Sequence, residues 1–254
     1  EAGLCSYTTS SVDCAESGQS CEAGACVSVD PCEAIACLEP PADSCEGDLL
    51  VTSHAPGTCE AGLCSYATSS VDCAESAQTC EEGACVPNPL VPVALDLLLS
   101  EVMRAPLKGQ GTMAHWLEFQ NQGHTWLDAS QCTLQVNAAL YPLGADAPLI
   151  DPLGWLVIGS SDDLALNGGY VPDVVIDELN LSADTLTLTL LCADSTINSV
   201  TIESSTWPKS PGAALQLAPD AEDNASPESW CDASESFGEG DLGSPGSANT
   251  LCVP

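Results

Sequence analysis

The sequence has 254 residues, with 37 Asp and Glu side chains against three basic ones and a formal net charge of −34. This charge excludes nucleic acid as a partner, because the chain lacks the Lys and Arg clusters that neutralise phosphates, and it disfavours an anionic membrane surface. No apolar run is long enough for membrane insertion, whereas a hydrophobic content of 44% predicts a folded protein with a sizeable core.

Cysteine usage divides the chain into two regions. The first 86 residues hold 12 of the 16 Cys and 15 carboxylates without any Lys or Arg, whereas all five Trp and both Phe follow residue 94. Such a Cys density is typical of a disulfide scaffold, and disulfides persist in oxidising compartments. We therefore predict a secreted, extracellular or cell-surface protein, in which a Pro-rich linker at residues 87–93 precedes a larger domain at residues 94–254.

The Cys-rich region contains an internal repeat with a period of 59 residues. Residues 1–27 match residues 60–86 at 23 of 27 positions. A complete repeat therefore occupies residues 28–86, and residues 1–27 form a truncated one. We expect residue 1 to be a trimmed terminus or the start of a fragment from a longer array, since such periods are typical of arrays of small units.

Structural disulfides are the expected role of these cysteines. Zinc sites combine ligands two to four residues apart with His or further paired Cys, whereas here the pairs are spaced C-x4-C and the only nearby His is His54. The sequence does not determine which of these cysteines are bonded to each other. If Cys59 pairs with Cys64, then Cys5 lacks the corresponding partner and either pairs again with Cys14, Cys21 or Cys26 or is available to another chain. The disulfide candidates in this region are Cys5, Cys14, Cys21, Cys26, Cys32, Cys37, Cys45, Cys59, Cys64, Cys73, Cys80 and Cys85. Short stapled hairpins are expected, because no helical period appears.

Alternating apolar residues predict a β-sandwich after residue 94. Residues 185–190 read Thr-Leu-Thr-Leu-Thr-Leu, a period-two strand with Leu on one face. Gly, Pro, Asn and Asp separate further short runs, which favours a sandwich or barrel. These runs occupy residues 95–103, 115–120, 131–136, 155–158, 171–176, 196–203 and 213–217. Cys132 and Cys192 share the parity of the core-facing residues, so we expect them to be bonded, with Cys231 and Cys252 clipping the tail.

Five motifs of this region resemble the lamin tail domain. In order they are LSEV at residues 99–102, HWLEFQN at 115–121, GWLVIG at 154–159, DTLTL at 184–188 and GSPGSAN at 243–249. The resemblance implies an immunoglobulin-like β-sandwich over about residues 94–249, of the type found in secreted bacterial proteins. The Cys-rich repeats are similar to tandem repeats of large secreted bacterial surface proteins. The family implies a binding or display module that brings no catalytic residues.

Enzymatic and metal-binding chemistry find little support in the sequence. His115 and His124 flank the strand that carries Glu118, but no nucleophile motif or paired-His spacing accompanies them, so we predict that the protein is not an enzyme. Oxygen-bearing side chains at alternate positions resemble an EF-hand loop, although Ala225 and Cys231 replace its Gly and its final Glu. The sequence is compatible with either a weak calcium loop or a solvated acidic loop here, and no other cofactor is predicted. The candidate calcium ligands are Asp220, Glu222, Asn224, Ser226 and Glu228.

Two functions of different classes follow from these features. The first is a non-enzymatic structural or adhesive protein of the cell exterior, and specifically a filament subunit. Its repeats would then serve as a stalk or inter-subunit contact and its sandwich as a packing head, so that its partners are further copies of the chain or a cell-surface component. The alternative is a monomeric module cut from a larger secreted enzyme, which binds a glycan or a surface protein through Trp126, Trp207 or Trp230.

Overall fold

The computed structural model describes residues 10–28, 30–33, 35–221 and 223–252. The chain is 43% strand and 8% helix, which confirms the predicted all-β class. It divides into two compact units, one formed by Glu1–Cys73 and Cys80–Val86 and the other by Ala74–Thr79 and Pro87–Pro254. Short helical turns occupy Cys14–Ser17, Cys73–Ser76, Gly111–Ala114, Leu164–Asn167 and Pro227–Ser229. In the part of the chain that is described, no helix is long and apolar enough to cross a membrane.

The Cys-rich region forms small antiparallel sheets. Its strands are β1 (Gln19–Glu22), β2 (Ala25–Ser28), β3 (Ser44–Glu46), β4 (Leu49–Glu60), β5 (Leu63–Asp72), β6 (Gln78–Glu81) and β7 (Ala84–Pro87). Strands β1 and β2 form one hairpin, β6 and β7 another, and β3, β4 and β5 a three-stranded sheet in that order. The hairpin of β4 and β5 is longer than the short hairpins that the sequence predicts. Most residues of its strands are exposed, and the pairing is continuous except for a register shift between His54 and Thr58.

Seven disulfides connect described cysteines. They join Cys14 to Cys26, Cys32 to Cys59, Cys37 to Cys64, Cys45 to Cys80, Cys73 to Cys85, Cys132 to Cys192 and Cys231 to Cys252. Neighbouring cysteines of a C-x4-C pair are not bonded to each other. Instead, the pair Cys32 and Cys37 is bonded to the pair Cys59 and Cys64, first residue to first and second to second. Cys59 and Cys64 are therefore not bonded to each other, which was the condition under which Cys5 would lack the corresponding partner. Cys5 itself lies outside the described residues.

Two larger sheets form the second unit. Its strands are β8 (Leu97–Met103), β9 (Trp116–Asn121), β10 (Leu127–Asp128), β11 (Cys132–Val136), β12 (Ala139–Pro142), β13 (Leu149–Ile150), β14 (Trp155–Gly159), β15 (Val174–Val175), β16 (Thr185–Cys192), β17 (Ser195–Glu203), β18 (Leu215–Leu217), β19 (Trp230–Asp232), β20 (Ser236–Phe237) and β21 (Asp241–Leu242). One sheet has the order β15-β14-β9-β8-β18-β19 and the other the order β12-β11-β16-β17. β10 pairs with β13, and β20 with β21. Each run that the sequence predicts overlaps a strand.

The larger hydrophobic cluster of this unit receives side chains from both of these sheets. Leu188 of β16 is buried together with Phe119 of β9 and Leu156 of β14. The Thr residues of β16 point away from this core, as the alternation predicts, and Thr187 is hydrogen-bonded to Thr201 on the adjacent strand. Cys132 and Cys192, the pair that strand parity indicates, lie opposite each other in β11 and β16.

Candidate functional site

Two buried glutamates lie side by side in the six-stranded sheet. Glu101 of β8 is the register partner of Glu118 of β9, and both side chains are 0% exposed. Carboxylates are almost never fully buried without a partner, because desolvation of the charged form is costly. The groups that surround this pair therefore decide its properties.

The loop of residues 243–249 supplies hydrogen-bond donors to both carboxyl groups. The backbone N–H of Ser244 donates to Glu101 Oε1 at 3.0 Å, and its Oγ donates to Oε2 at 3.0 Å. The N–H of Gly246 donates to Glu118 Oε2 at 2.6 Å, while Ser100 Oγ donates to Oε1 at 2.8 Å. These contacts connect the G-S-P-G-S-A-N motif to the glutamates of the S-E-V and W-L-E-F motifs.

Both ends of this loop are fixed by contacts with the same sheet. A Cβ atom on Gly243 would lie 3.0 Å from Glu101 Oε1 and 3.0 Å from Trp116 Cζ2, so a side chain here would force these buried neighbours to shift by a few tenths of an ångström. At the other end, the Asn249 amide donates to main-chain carbonyls of β8 and β18, both at 2.9 Å. The loop thus covers the glutamate pair and separates it from solvent.

Burial raises the pKa of both carboxyl groups. Desolvation raises the pKa of Glu101 to about 8, against the opposing effect of the hydrogen bonds from Ser244. Desolvation, and then the adjacent Glu101, raise the pKa of Glu118 to about 8. A pair with such values has the proton affinity of a general acid. Both groups are, however, fully buried, and their hydrogen bonds hold the loop of residues 243–249 against the sheet.

The histidines that the sequence singles out do not join Glu118. His115 is buried, and its Nδ1 accepts the backbone N–H of Leu181 at 3.1 Å. Burial lowers the pKa of His115, so the ring is neutral and positions the segment before β16. His124 is exposed. The hydrogen bonds of His115 and Glu118 therefore hold backbone segments in place.

Arg104 is a buried cation with a structural role that the sequence did not reveal. Its Nη2 donates to the carbonyl of Ala183 at 2.5 Å and to Ser204 Oγ at 3.1 Å. Lys209 Nζ donates to the same Ser204 oxygen at 3.3 Å and lies 3.9 Å from Asp184. Burial lowers the pKa of Arg104, and Asp184 opposes this effect. Two of the three basic side chains thus converge beside the start of β16.

The candidate calcium ligands are placed in different environments. Asn224 is buried, and its amide is hydrogen-bonded to the Asn198 amide and to the carbonyl of Leu99. Ser226 donates to Glu228 on the surface. Asp220 is exposed, and Glu222 lies outside the described residues. Among the residues that can be placed, no group of three or more His, Cys, Asp or Glu is arranged to hold a metal ion.

The tryptophans proposed for sugar stacking are mostly part of the core. Trp207 and Trp230 are 7% and 4% exposed, and their ring centroids lie 5.6 Å apart. The indole N–H of Trp230 donates to the carbonyl of Asn224 at 3.1 Å. Trp126 is half-buried. Burial therefore excludes Trp207 and Trp230 as stacking residues, and Trp126 is the one of the three with a partly exposed side chain.

The described part of the Cys-rich region contains one cysteine outside the disulfides. Among the described cysteines, Cys21 is free, and it is exposed on β1. The repeat pattern in the sequence did not single out this position, because its counterpart Cys80 is spaced identically from its neighbours. No protein-family model, no curated protein and no solved structure matches this chain.

Proposed function

We propose that this protein is a non-enzymatic structural or adhesive component of the cell exterior that self-associates into filaments. In this proposal the Cys-rich repeats are the stalk or inter-subunit contact, and residues 94–249 are the packing head, a lamin-tail-like, immunoglobulin-like sandwich. A further copy of the chain or a cell-surface component is the partner.

The composition of the interior of the Cys-rich region is the observation that carries this proposal. Before Pro87, three of the described residues have buried side chains, and all three are cysteines: Cys14, Cys37 and Cys73. Covalent links thus replace the apolar core that a small domain usually needs. Seven disulfides in the described chain are consistent with an extracellular protein, because the cytosol keeps thiols reduced.

The buried polar groups of the second unit support the same proposal. Two buried groups that could serve catalysis instead hold backbone segments in place. His115 accepts the backbone N–H of Leu181, and Glu118 accepts that of Gly246 in the loop. A catalytic centre needs a nucleophile or base that substrate can reach. These groups are instead closed off, as expected of a domain that provides shape and surface.

The experiment that tests the proposal is electron microscopy of natively secreted protein, without reductant and at the salt concentration of its source. Sedimentation of the same sample over a range of concentrations is the companion measurement. Ordered filaments, with mass that grows with concentration, are expected. Particles of monomer mass at every concentration would overturn self-association and favour the monomeric binding module.

A further inference from the structure

Two pockets of the second unit share the turn of residues 151–154, which joins β13 to β14. The Trp155 pocket has a volume of about 440 Å³ and the Trp126 pocket one of about 370 Å³, and each is named for the half-buried tryptophan in its wall. Asp151 and Pro152 line both, so the pockets are neighbours. Each has the size of a small-molecule site.

Strand pairing and one buried amide hold both tryptophans beside this turn. β10 pairs with β13, so Trp126, which precedes β10, lies beside Asp151, which follows β13. The amide of the fully buried Asn121 donates to the carbonyls of Thr125 and Asp151, both at 2.8 Å. Trp155 begins β14 directly after the turn. The segments that carry the two rings are thus fixed by the fold, which lowers the entropic cost of binding a ligand between them.

A hydrogen bond within the second unit orients the Trp126 ring. Its Nε1 donates to the carbonyl of Ser76 at 3.3 Å, and residues 74–79 belong to this unit. The indole has a single donor, and this bond occupies it. Trp126 therefore offers its pocket an apolar aromatic surface.

The charged side chains of both pockets are carboxylates. Asp151 and Asp173 line the Trp155 pocket, and Glu75 and Asp151 line the Trp126 pocket, where His124 adds a ring nitrogen. Among the described residues that line the two pockets, none is Lys or Arg. An anionic ligand would be repelled here, whereas an ammonium group is attracted both by carboxylates and by the face of a tryptophan.

We infer that these two pockets bind a glycan chain whose sugars carry free amino groups, with one sugar ring in each pocket. A sugar ring presents an apolar face of C–H groups that stacks on an indole, while the hydroxyl and ammonium groups at its edge reach the carboxylates. A chain is favoured over a single sugar, because binding in one pocket raises the effective concentration of the next ring at the other. The inference does not depend on self-association.

The test is calorimetric titration of the whole chain with a six-unit glucosamine oligomer, at a pH at which its amino groups are protonated. The corresponding N-acetylglucosamine oligomer has the rings without the charge, and a lysine oligomer of equal charge has no rings. We expect the glucosamine oligomer to bind about fivefold or more tightly than either control, because it alone combines stacking with charge. Equal binding of the lysine oligomer would indicate diffuse attraction to the net charge of −34 and overturn the inference. Equal or tighter binding of the N-acetylated oligomer would also overturn it.

Nuclear magnetic resonance locates the site without any substitution. The indole N–H signals of Trp126 and Trp155 should shift during the titration, whereas those of Trp207 and Trp230, which are buried, should not. Binding that leaves the signals of Trp126 and Trp155 unchanged would place the glycan elsewhere and overturn the inference.

Variants then separate stacking from charge. Trp155→Ala and Trp126→Ala should each weaken binding of the glucosamine oligomer about fivefold or more. Asp173→Asn keeps an acceptor for the N–H of Val157 but removes a charge, so it should weaken binding of the glucosamine oligomer and not of the N-acetylated one. The control is Asp162→Asn, an exposed position that lines neither pocket. Equal effects of the two Asp variants would contradict the site.

The inference and the proposed function can fail separately. Filaments without glycan binding would leave self-association standing and overturn the glycan site. Glycan binding at the two tryptophans by particles of monomer mass would support the site and overturn the filament.

Discussion

Glu101 and Glu118 face each other across two adjacent strands, and one loop donates hydrogen bonds to both carboxyl groups. Three segments that are distant in the sequence meet at this pair, because β8, β9 and residues 243–249 each contribute to it. Burial raises the pKa of each carboxyl group to about 8, so below that pH the folded state favours the protonated carboxyl groups.

The buried carboxyl pair should make the stability of the second unit depend on pH. The ordinary pKa of 4.5 rises to about 8 on folding, so between these values the folded state binds more protons than the unfolded state. The free energy of unfolding should therefore fall as the pH rises from 5.5 to 8. Chemical denaturation followed by tryptophan fluorescence measures this slope. Asp173, whose pKa burial also raises, contributes in the same direction.

The matched variants are Glu101→Gln and Glu118→Gln, which keep the size of the side chain and remove its titration. Each should flatten the slope, whatever its effect on absolute stability. His115 is common to all variants, so the difference in slope reports the carboxyl pair. An unchanged slope in the double variant would show that the pair does not carry the pH dependence.

A methyl group at Gly243 should displace the loop from the sheet. Gly243→Ala places its Cβ within 3.0 Å of Glu101 Oε1 and Trp116 Cζ2, and we expect a loss of about 1–3 kcal/mol. Gly123→Ala is the control, since its nearest neighbour would lie at 3.5 Å and its φ is not in the left-handed region. Equal unfolding free energies for the two variants would contradict the close packing of the loop.

The alternation of β16 predicts losses of stability of very different size at neighbouring positions. Leu188→Ala removes a core side chain that is 1% exposed, and we expect a loss of about 2–5 kcal/mol. Thr187→Ala removes an outward hydroxyl that is bonded to Thr201, and we expect a loss of about 0.2–1 kcal/mol. Urea denaturation of both variants measures the difference. Similar losses would mean that the strand has a different register.

Reduction should unfold the two units differently. Because the described interior of the Cys-rich region consists of cysteine side chains, a phosphine reductant should abolish amide protection in β4 and β5. The second unit retains a core of Leu, Ile, Val, Phe and Trp, so β8, β9 and β16 should stay protected. Hydrogen exchange with mass spectrometry measures both regions in one sample. Protection that persists in β4 and β5 would show that backbone pairing alone stabilises the hairpin.

The strand pattern of the second unit was predictable because apolar residues alternate there with polar ones. Cys132 and Cys192 follow the parity of Leu134 and Leu190, so their pairing could be expected from position alone. The hairpin of β4 and β5 could not be predicted, since its Ser- and Thr-rich strands have no apolar face to produce a period.

The burial of Glu118 could not be predicted from the sequence, for a different reason. Its parity assigns it to the opposite face of β9 from Leu117 and Phe119, and such a face is solvated unless another segment covers it. The covering loop lies 125 or more residues later in the chain, and alternation carries no information about it. Likewise, the alternate oxygens of residues 220–228 suggest one ligand set, yet the Asn224 amide turns to Asn198 and Leu99.

The crosswise disulfides give the complete repeat a mechanical property. A pulling force applied between Cys32 and Cys85 is carried by a short covalent path through the disulfides Cys37–Cys64 and Cys73–Cys85. This route bypasses the backbone of residues 38–63 and 74–84, so that backbone cannot be drawn out even if its hydrogen bonds break. The repeat behaves under tension as a tether of nearly fixed length, which transmits load without lengthening for as long as its thiols stay oxidised.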